Sequence, residues 1–168
     1  MQSLQLPDIR DFMNKLLAAD AFDAFILSDA SLTTFTTFRI DGSYHKDYYG
    51  SGEEDPESGS PSSTDLTWGR IRPLFYQLIK GKYTPLDFRL VFRLADYNVE
   101  KLLVQSGIPL NVSDVAGLFL NLHYNGKGAV CTTGTSLRVF TLEKDLDHAW
   151  DAMVQKFLKQ QQIPFLPL

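Results

Sequence analysis

Cysteine is almost absent from this chain of 168 residues, because Cys131 is the only one. A single thiol cannot form a disulfide within the chain, and it cannot build a cysteine-based zinc site. The histidines, at positions 45, 123 and 148, do not have the spacing of zinc ligands on one element. We therefore predict a protein without a metal or other cofactor, in which Cys131 is a buried core thiol.

Long apolar runs are also missing. No stretch of about 18 apolar residues occurs, which excludes a membrane-spanning helix of the usual kind. The opening MQSLQLPDIRD lacks the charged and then apolar pattern of a secretory signal, so we expect a cytoplasmic protein. Hydrophobic residues nevertheless make up 44% of the chain. That proportion is enough for one compact domain, residues 1–168, with a core that needs no disulfides.

The fingerprints of common catalytic sites are absent as well. The sequence contains no P-loop, no GxSxG elbow, no GxGxxG loop and no HExxH helix. The segment CTTGTSLR superficially resembles a thiol phosphatase loop, but six residues separate Cys131 from Arg138 where such loops have five. The pattern therefore indicates no known class of enzyme.

Alternating and helical patterns predict the fold. In LDFRLVFRL, alternate apolar residues indicate a strand with one buried face. Asn125-Gly126 is a strong hairpin signal, and hairpins imply mainly antiparallel pairing. We predict an α+β fold with four helices covering one face of the sheet. The predicted core contains Leu86, Phe88, Leu90 and Phe92 on the strand, and Phe12, Leu16, Trp150 and Phe157 on helices.

Turn and helix signals predict three local features. The run FDAFILSDASLTTFTTFRI predicts a hairpin that turns at residues 28–31. Pro73 suggests a regular helix over residues 73–80 that follows a turn or kinked segment and carries an apolar stripe of Phe75, Leu74, Leu78 and Ile79. Gly134 suggests a bulge in a long strand that continues through Val139.

The predicted elements follow the order β-α-β-β-α twice, in halves 1–82 and 83–168. Lys15-Leu16-Leu17 aligns with Lys101-Leu102-Leu103, which fits a duplication, although helices with one apolar stripe resemble each other by periodicity alone. Within the first half, residues 50–65 are acidic and rich in serine, as in a flexible surface loop. A Gly-Ser linker in place of residues 53–63 should leave stability almost unchanged.

Three segments carry a resemblance to a known family: DFMNKLL, LIKGKYTPL and TGTSLRVFTLEKDLDHAWDAMVQKF. They resemble a small family of clostridial proteins that is classed only as a domain of unknown function. The similarity extends over most of the chain outside the acidic loop. It implies a compact bacterial domain and supplies no catalytic residues.

Basic residues are concentrated in the second third of the chain. Residues 66–95 contain six basic side chains and one acidic one, although the whole chain carries a net charge of −4. Strand alternation places several basic and polar residues on the face opposite the helices. We predict there a cationic surface for an acidic protein patch or single-stranded nucleic acid. Its candidate residues are Arg39, Arg89, Arg93, Asn121, His123 and Arg138.

Two functional classes therefore remain open. The first is a non-enzymatic binding module, as a homo-oligomer or with another partner. Interleaved aromatics of the basic block could stack bases in such a module, or could belong to the core: Trp68, Phe75, Tyr76 and Tyr83. The second is an enzyme acting on a small polar or phosphorylated substrate through the Tyr44–Tyr49 segment. Its candidate residues are Tyr44, His45, Asp47 and Tyr48, which could instead pack over the rim of the core.

Overall fold

Seven strands and four α-helices make up the regular part of the described chain. The computed structural model describes residues 1–57 and 64–168. The strands are β1 (Ser3–Leu6), β2 (Ile26–Thr33), β3 (Thr37–Ile40), β4 (Asp87–Arg93), β5 (Val115–Tyr124), β6 (Ala129–Leu137) and β7 (Leu166–Pro167). The helices are α1 (Ile9–Met13), α2 (Trp68–Ile79), α3 (Asp96–Gln105) and α4 (Asp145–Gln160). A π-helical turn, Asn14–Ala18, follows α1, and 3-10 turns occupy Lys46–Tyr49 and Val112–Asp114.

The strands form one antiparallel sheet in the order β3-β2-β4-β5-β6-β1-β7. The β5–β6 hairpin turns at Asn125-Gly126, where the Asn125 side chain accepts hydrogen bonds from the amides of Lys127 and Gly128. The predicted α+β class with a mainly antiparallel sheet is confirmed.

The core lies between the helices and one face of the sheet. Phe88, Leu90 and Phe92 on β4 are fully buried, as the alternation predicted. The ring of Trp68 lies 5.3 Å from that of Phe92. The ring of Phe75 lies 6.0 Å from that of Phe88. Helices therefore cover this face, and the opposite face of the strands is left without a covering layer from the described residues.

Other predicted core residues have mixed outcomes. Phe12, Leu16 and Trp150 are buried, and Phe157 is only partly buried. The prediction for Leu86 is wrong, since β4 begins at Asp87 and the Leu86 side chain is exposed. Its amide donates to the carbonyl of Thr33 in the approach to the strand.

One predicted turn and one predicted bulge lie elsewhere in the structure. Residues 28–31 belong to β2, and the hairpin turns instead through residues 34–36, where the amide of Thr34 donates to the carbonyl of Thr36. The irregularity in β2 is a bulge at Ser28. Gly134 pairs regularly with Phe119, and the bulge of the second hairpin lies at Ala116.

Helix α2 is longer than predicted because it passes through Pro73 instead of starting there. Pro73 has no amide hydrogen, so the carbonyl of Gly69 lacks its usual helical donor. The apolar stripe consists of Trp68, Ile71 and Phe75, whereas Leu74 and Leu78 are exposed. The predicted stripe is therefore right for Phe75 and for Ile79, which packs against the core, and wrong for Leu74 and Leu78; Trp68 and Ile71 were missed because the helix begins a turn and a half earlier.

The order β-α-β-β-α does occur twice, but the two halves do not occupy equivalent positions in the sheet. β4 lies at its centre, between β2 and β5, whereas β1 pairs with β6 and β7 near the edge. Duplication therefore stays a prediction. The predicted flexible loop includes residues 58–63, which lie outside the described residues.

Candidate functional site

The open face of the sheet brings together several of the predicted binding residues. Arg39 pairs with Ser31, Ser31 pairs with Arg89, and Arg89 pairs with His123. Because residues directly opposite each other on neighbouring strands project from the same face, these four side chains form one row across β3, β2, β4 and β5. We call it the arginine row.

Asn121 and Arg93 lie on the same face in the next rows. Asn121 pairs with Val91 on one side and Thr132 on the other, and its side-chain amide donates to the Thr132 carbonyl at 3.4 Å. Arg93 pairs with Phe119, one row further along. Strand alternation thus predicted the face of five of the six candidates.

Arg138 does not join them, because β6 ends at Leu137 and the predicted strand through Val139 stops there. The Arg138 guanidinium donates to the carbonyls of Ser113 and Val115, at 3.0 and 2.8 Å. Its donors therefore satisfy the backbone at the start of β5.

Carboxylates of the same chain accompany the cations of the open face. Asp29 lies 3.4 Å from Nε of Arg39. Asp87 lies 3.8 Å from Nε of Arg89 and accepts a 2.7 Å hydrogen bond from Nε2 of His123. These acids offset the positive charge that the sequence pattern suggested.

Arg93 is held more firmly than the arginine row. It donates to Asp96 at 3.1 Å and to Asp65, at the end of the acidic loop, at 3.0 Å. Its side chain is 21% exposed, against 74% for Arg39 and 66% for Arg89. The exposed guanidiniums of Arg39 and Arg89 therefore retain N–H donors for which no described residue is an acceptor. Arg93, in contrast, is held by its ion pairs with Asp65 and Asp96.

The basic and aromatic residues of positions 66–95 do not come together on one surface. Trp68 and Phe75 are buried, and the Trp68 indole donates to the carbonyl of Leu16. Arg72 pairs with Asp23 through two hydrogen bonds, at 2.7 and 3.0 Å. The remaining aromatics, Tyr76 on α2 and Tyr83 between α2 and β4, are exposed, and Lys82 lies 5.7 Å from the ring centre of Tyr83. The cations and aromatics of the block are therefore divided between the core, ion pairs and separate exposed positions.

The Tyr44–Tyr49 segment leaves the sheet and contacts α2 through a cluster that the sequence did not reveal. Tyr44 donates to Asp55 at 2.6 Å, and Arg70 donates to both Asp55 and Tyr49. The Arg70 guanidinium lies 5.8 Å from the ring centres of both tyrosines. We call these four residues the Arg70 cluster.

The other predicted members of this segment remain outside that cluster. His45, Asp47 and Tyr48 are exposed, and in the described ranges no side-chain hydrogen bond joins them to Tyr44. Asp55 and Arg70 were missed because fifteen residues separate them, and no local pattern indicates such a pair. The one available signal was an acidic loop beside an arginine-bearing helix.

The electrostatics of the Arg70 cluster favour a fixed ion pair. Burial alone would raise the pKa of Asp55, but hydrogen bonds from Tyr44, the Glu57 amide and Arg70 hold it at about 2. The hydrogen bond to Asp55, aided by partial burial, raises the pKa of Tyr44. A carboxylate of such low pKa is a weak general base.

The Asp55→Asn variant should therefore be less stable than the wild type in a pH-dependent way. A Gly-Ser linker in place of residues 53–63 removes Asp55 and should lose the same stabilisation, contrary to the expectation from the sequence. A carboxyl whose pKa is about 2 in the folded protein, against 3.8 ordinarily, stabilises fully above about pH 5, and this stabilisation is lost as the pH falls toward 2. Thermal unfolding from about pH 7 down to pH 3 should show the difference between the two proteins shrinking.

Asp47→Asn is the control, because it removes an exposed carboxylate from the neighbouring turn. It should leave the unfolding temperature nearly unchanged. A difference between Asp55→Asn and the wild type that stays constant over this pH range would contradict the prediction.

Cys131 is a buried core thiol, as predicted, and burial raises its pKa to about 12. No group of three metal-ligating side chains comes together within residues 1–57 and 64–168. In the same ranges, every helix is too short or too polar to cross a membrane.

Comparison with known proteins adds a family to this description. No curated protein matches the chain, and no solved structure does. A family model does match, over residues 15–166. The match spans helices α2, α3 and α4 and strands β2 to β6, and it ends at the first residue of β7. The chain therefore belongs to DUF5721, a family of unknown function.

Proposed function

We propose that the protein is a non-enzymatic binding module whose open sheet face holds an acidic segment of a partner protein. The observation that carries this proposal is the arginine row, in which Arg39 and Arg89 flank Ser31 and keep exposed guanidiniums. The partner is expected in the cytoplasm, where a chain with a single cysteine needs no oxidising environment.

The spacing of the row suits a carboxylate above Ser31. Arg39 and Arg89 lie two strands apart, which is about 9–10 Å in a sheet. Both side chains are long enough to converge on one group between them, and guanidinium forks match carboxylates well. The intrachain partners are weak competitors, because Asp87 lies 3.8 Å from Arg89 and Asp29 lies 3.4 Å from Arg39.

A protein partner fits this face better than nucleic acid. Asp29 and Asp87 stand beside the arginines and would repel a continuous phosphate backbone. Of the four aromatics that could have stacked bases, Trp68 and Phe75 are in the core, whereas Tyr76 and Tyr83 are exposed but lie outside the strands of this face. A protein surface with charges of both signs can complement the arginines and the aspartates together.

An enzyme using the Tyr44–Tyr49 segment has less support. Tyr44 is engaged by Asp55, whose pKa of about 2 makes it a weak base. His45 and Asp47 are exposed and do not converge with Tyr44 on one point.

The test measures binding, at low salt, of a fluorescent ten-residue peptide that carries glutamates together with a lysine, because Asp29 and Asp87 would repel a fully acidic peptide. The Arg39→Glu/Arg89→Glu variant should bind it at least about tenfold more weakly, since two attractive charges become repulsive. Binding by the wild type should also weaken as salt is added. Thermal stability should change little, because both side chains are largely exposed.

The matched control is Arg10→Glu/Lys80→Glu, which makes the same change in net charge on exposed residues of the helix layer. Equal weakening by both double variants would refute a site at the arginine row. Tighter binding of oligothymidine than of the peptide would favour nucleic acid instead. Wild-type oligomers that dissociate on Arg39→Glu/Arg89→Glu substitution would identify the partner as a second copy.

A further inference from the structure

An apolar pit opens between α3, α4 and the turn that precedes β2, in the helix layer. Its volume is about 130 Å³. Phe25, Trp150, Met153 and Phe157 form most of its wall, and Asn98 supplies the one polar side chain among the described lining residues. An apolar cavity of about 150 Å³ is large enough for a benzene ring, so a single six-membered ring is the right size for the pit.

The walls present aromatic edges and faces. The rings of Phe25 and Phe157 meet edge to face with centres 5.3 Å apart, and Phe25 stacks on Phe92 from behind. The indole nitrogen of Trp150 donates to the carbonyl of Phe119, so a ligand in the pit does not have to supply a hydrogen-bond acceptor for it. An aromatic ring would find partners in the geometries that aromatic pairs prefer.

The pit continues into a wider groove of about 470 Å³ between α3 and α4. Asn98, Met153 and Phe157 belong to both spaces. The groove adds Lys101 and Lys156, one from each helix, and its described lining includes no aspartate or glutamate. Its charge is therefore positive.

Both lysines are available to a ligand. Among the described residues, no carboxylate lies within 4 Å of either ammonium group. Lys101 lies 5.5 Å from the ring centre of Tyr97, and Lys156 is exposed. Two unpaired ammonium groups beside an apolar pit suit a ligand with one apolar end and one anionic end.

We propose that this site binds a small aromatic carboxylate, with its ring in the pit and its carboxylate between Lys101 and Lys156. Lys101 follows Asn98 by three residues and Lys156 follows Met153 by three, so each lysine stands about one helical turn, or 5 Å, beyond the mouth of the pit. A two-carbon chain between ring and carboxylate spans that distance. This site is in the helix layer, apart from the arginine row, and does not depend on the proposed function.

The first test uses three probes on the wild-type protein. The signal is the tryptophan fluorescence of the protein, because Trp150 lines the pit. 3-Phenylpropionate should bind saturably, with a dissociation constant on the order of 1 mM for a ligand of this size. 3-Phenylpropanamide, which keeps the ring but has no charge, should bind about fivefold to tenfold more weakly. Propionate, which has the charge but no ring, should give no saturable change. Equal binding of acid and amide, or no saturable binding of the acid, would overturn the proposal.

Variants then locate the two ends of the ligand. Lys101→Glu/Lys156→Glu should remove the preference for the acid over the amide, whereas Lys80→Glu/Lys127→Glu, with the same change in net charge elsewhere, should keep it. Ala21→Leu places a larger side chain in the pit wall and should weaken both ring-bearing probes about tenfold. If Ala21→Leu does not fold, the comparison of 3-phenylpropionate with propionate decides whether the ring is required. Retention of the acid preference in Lys101→Glu/Lys156→Glu would refute the assignment.

Discussion

Replacing Leu90 by alanine is expected to lower the free energy of unfolding by about 2–5 kcal/mol. Leu90 is on the central strand β4, pairs with Ala30 and Leu122, and is 0% exposed. Its neighbours on both sides are fixed in the ladder, so the surroundings can fill the vacated volume only partly. Urea unfolding of the two proteins measures the difference, provided that both have the same m-value.

Leu86→Ala is the matched control, since it makes the same chemical change four residues earlier. Leu86 is 66% exposed, and its truncation should change stability by no more than about 0.5 kcal/mol. Comparable losses from the two substitutions would contradict the exposure of the Leu86 side chain and the start of β4 at Asp87.

Gly42→Ala should be the most disruptive change outside the core, with an expected cost of about 2–4 kcal/mol. Gly42 has a φ of +72°, and an added Cβ would be forced against the carbonyl oxygens of Leu27 and Ser28, at the bulge of β2. Backbone atoms in a sheet cannot move aside as a flexible side chain can. The measurement is again urea unfolding.

Gly52→Ala separates the two causes. Gly52 has a similar φ of +80°, but an added Cβ there meets nothing within 4 Å in the described structure. Its replacement should cost only the backbone term, about 1 kcal/mol. The excess cost at Gly42 then measures the close approach to β2, and equal costs at both glycines would show that no such approach exists.

Local patterns predicted the order of the elements from β1 to α4 and the face on which most strand residues lie, but they misplaced several element boundaries and missed β7. Alternation in β4 and β5 identified both the core and the arginine row, because the two-residue period links every side chain to its neighbours. It failed at Leu86, where the alternation runs one residue beyond the ladder. The apolar alternation of the sequence continues past the end of the strand, whereas the regular strand pairing that fixes the two faces stops at Asp87.

The charge balance of the open face could not be predicted in the same way. Asp65 reaches Arg93 from the end of the acidic loop, and Asp55 reaches Arg70 across fifteen residues. Such pairs depend on where a loop lies relative to a distant element, which no short-range pattern specifies. The sequence therefore predicted the face of every candidate cation except Arg138, and it missed the acids that accompany most of them.

The position of β1 has a consequence for synthesis on the ribosome. β1 pairs with β6 and β7, so Ser3 meets Thr132 across 129 residues of chain. At about 5–20 residues per second, the nascent chain carries Leu4 and Leu6 without a partner strand for on the order of ten seconds. Meanwhile β2, β3 and β4 have already emerged and can pair among themselves. Of the seven strands of this sheet, β1 thus leaves the exit tunnel first and is among the last to pair, and in that interval two leucines of the finished core are available to a nascent-chain chaperone.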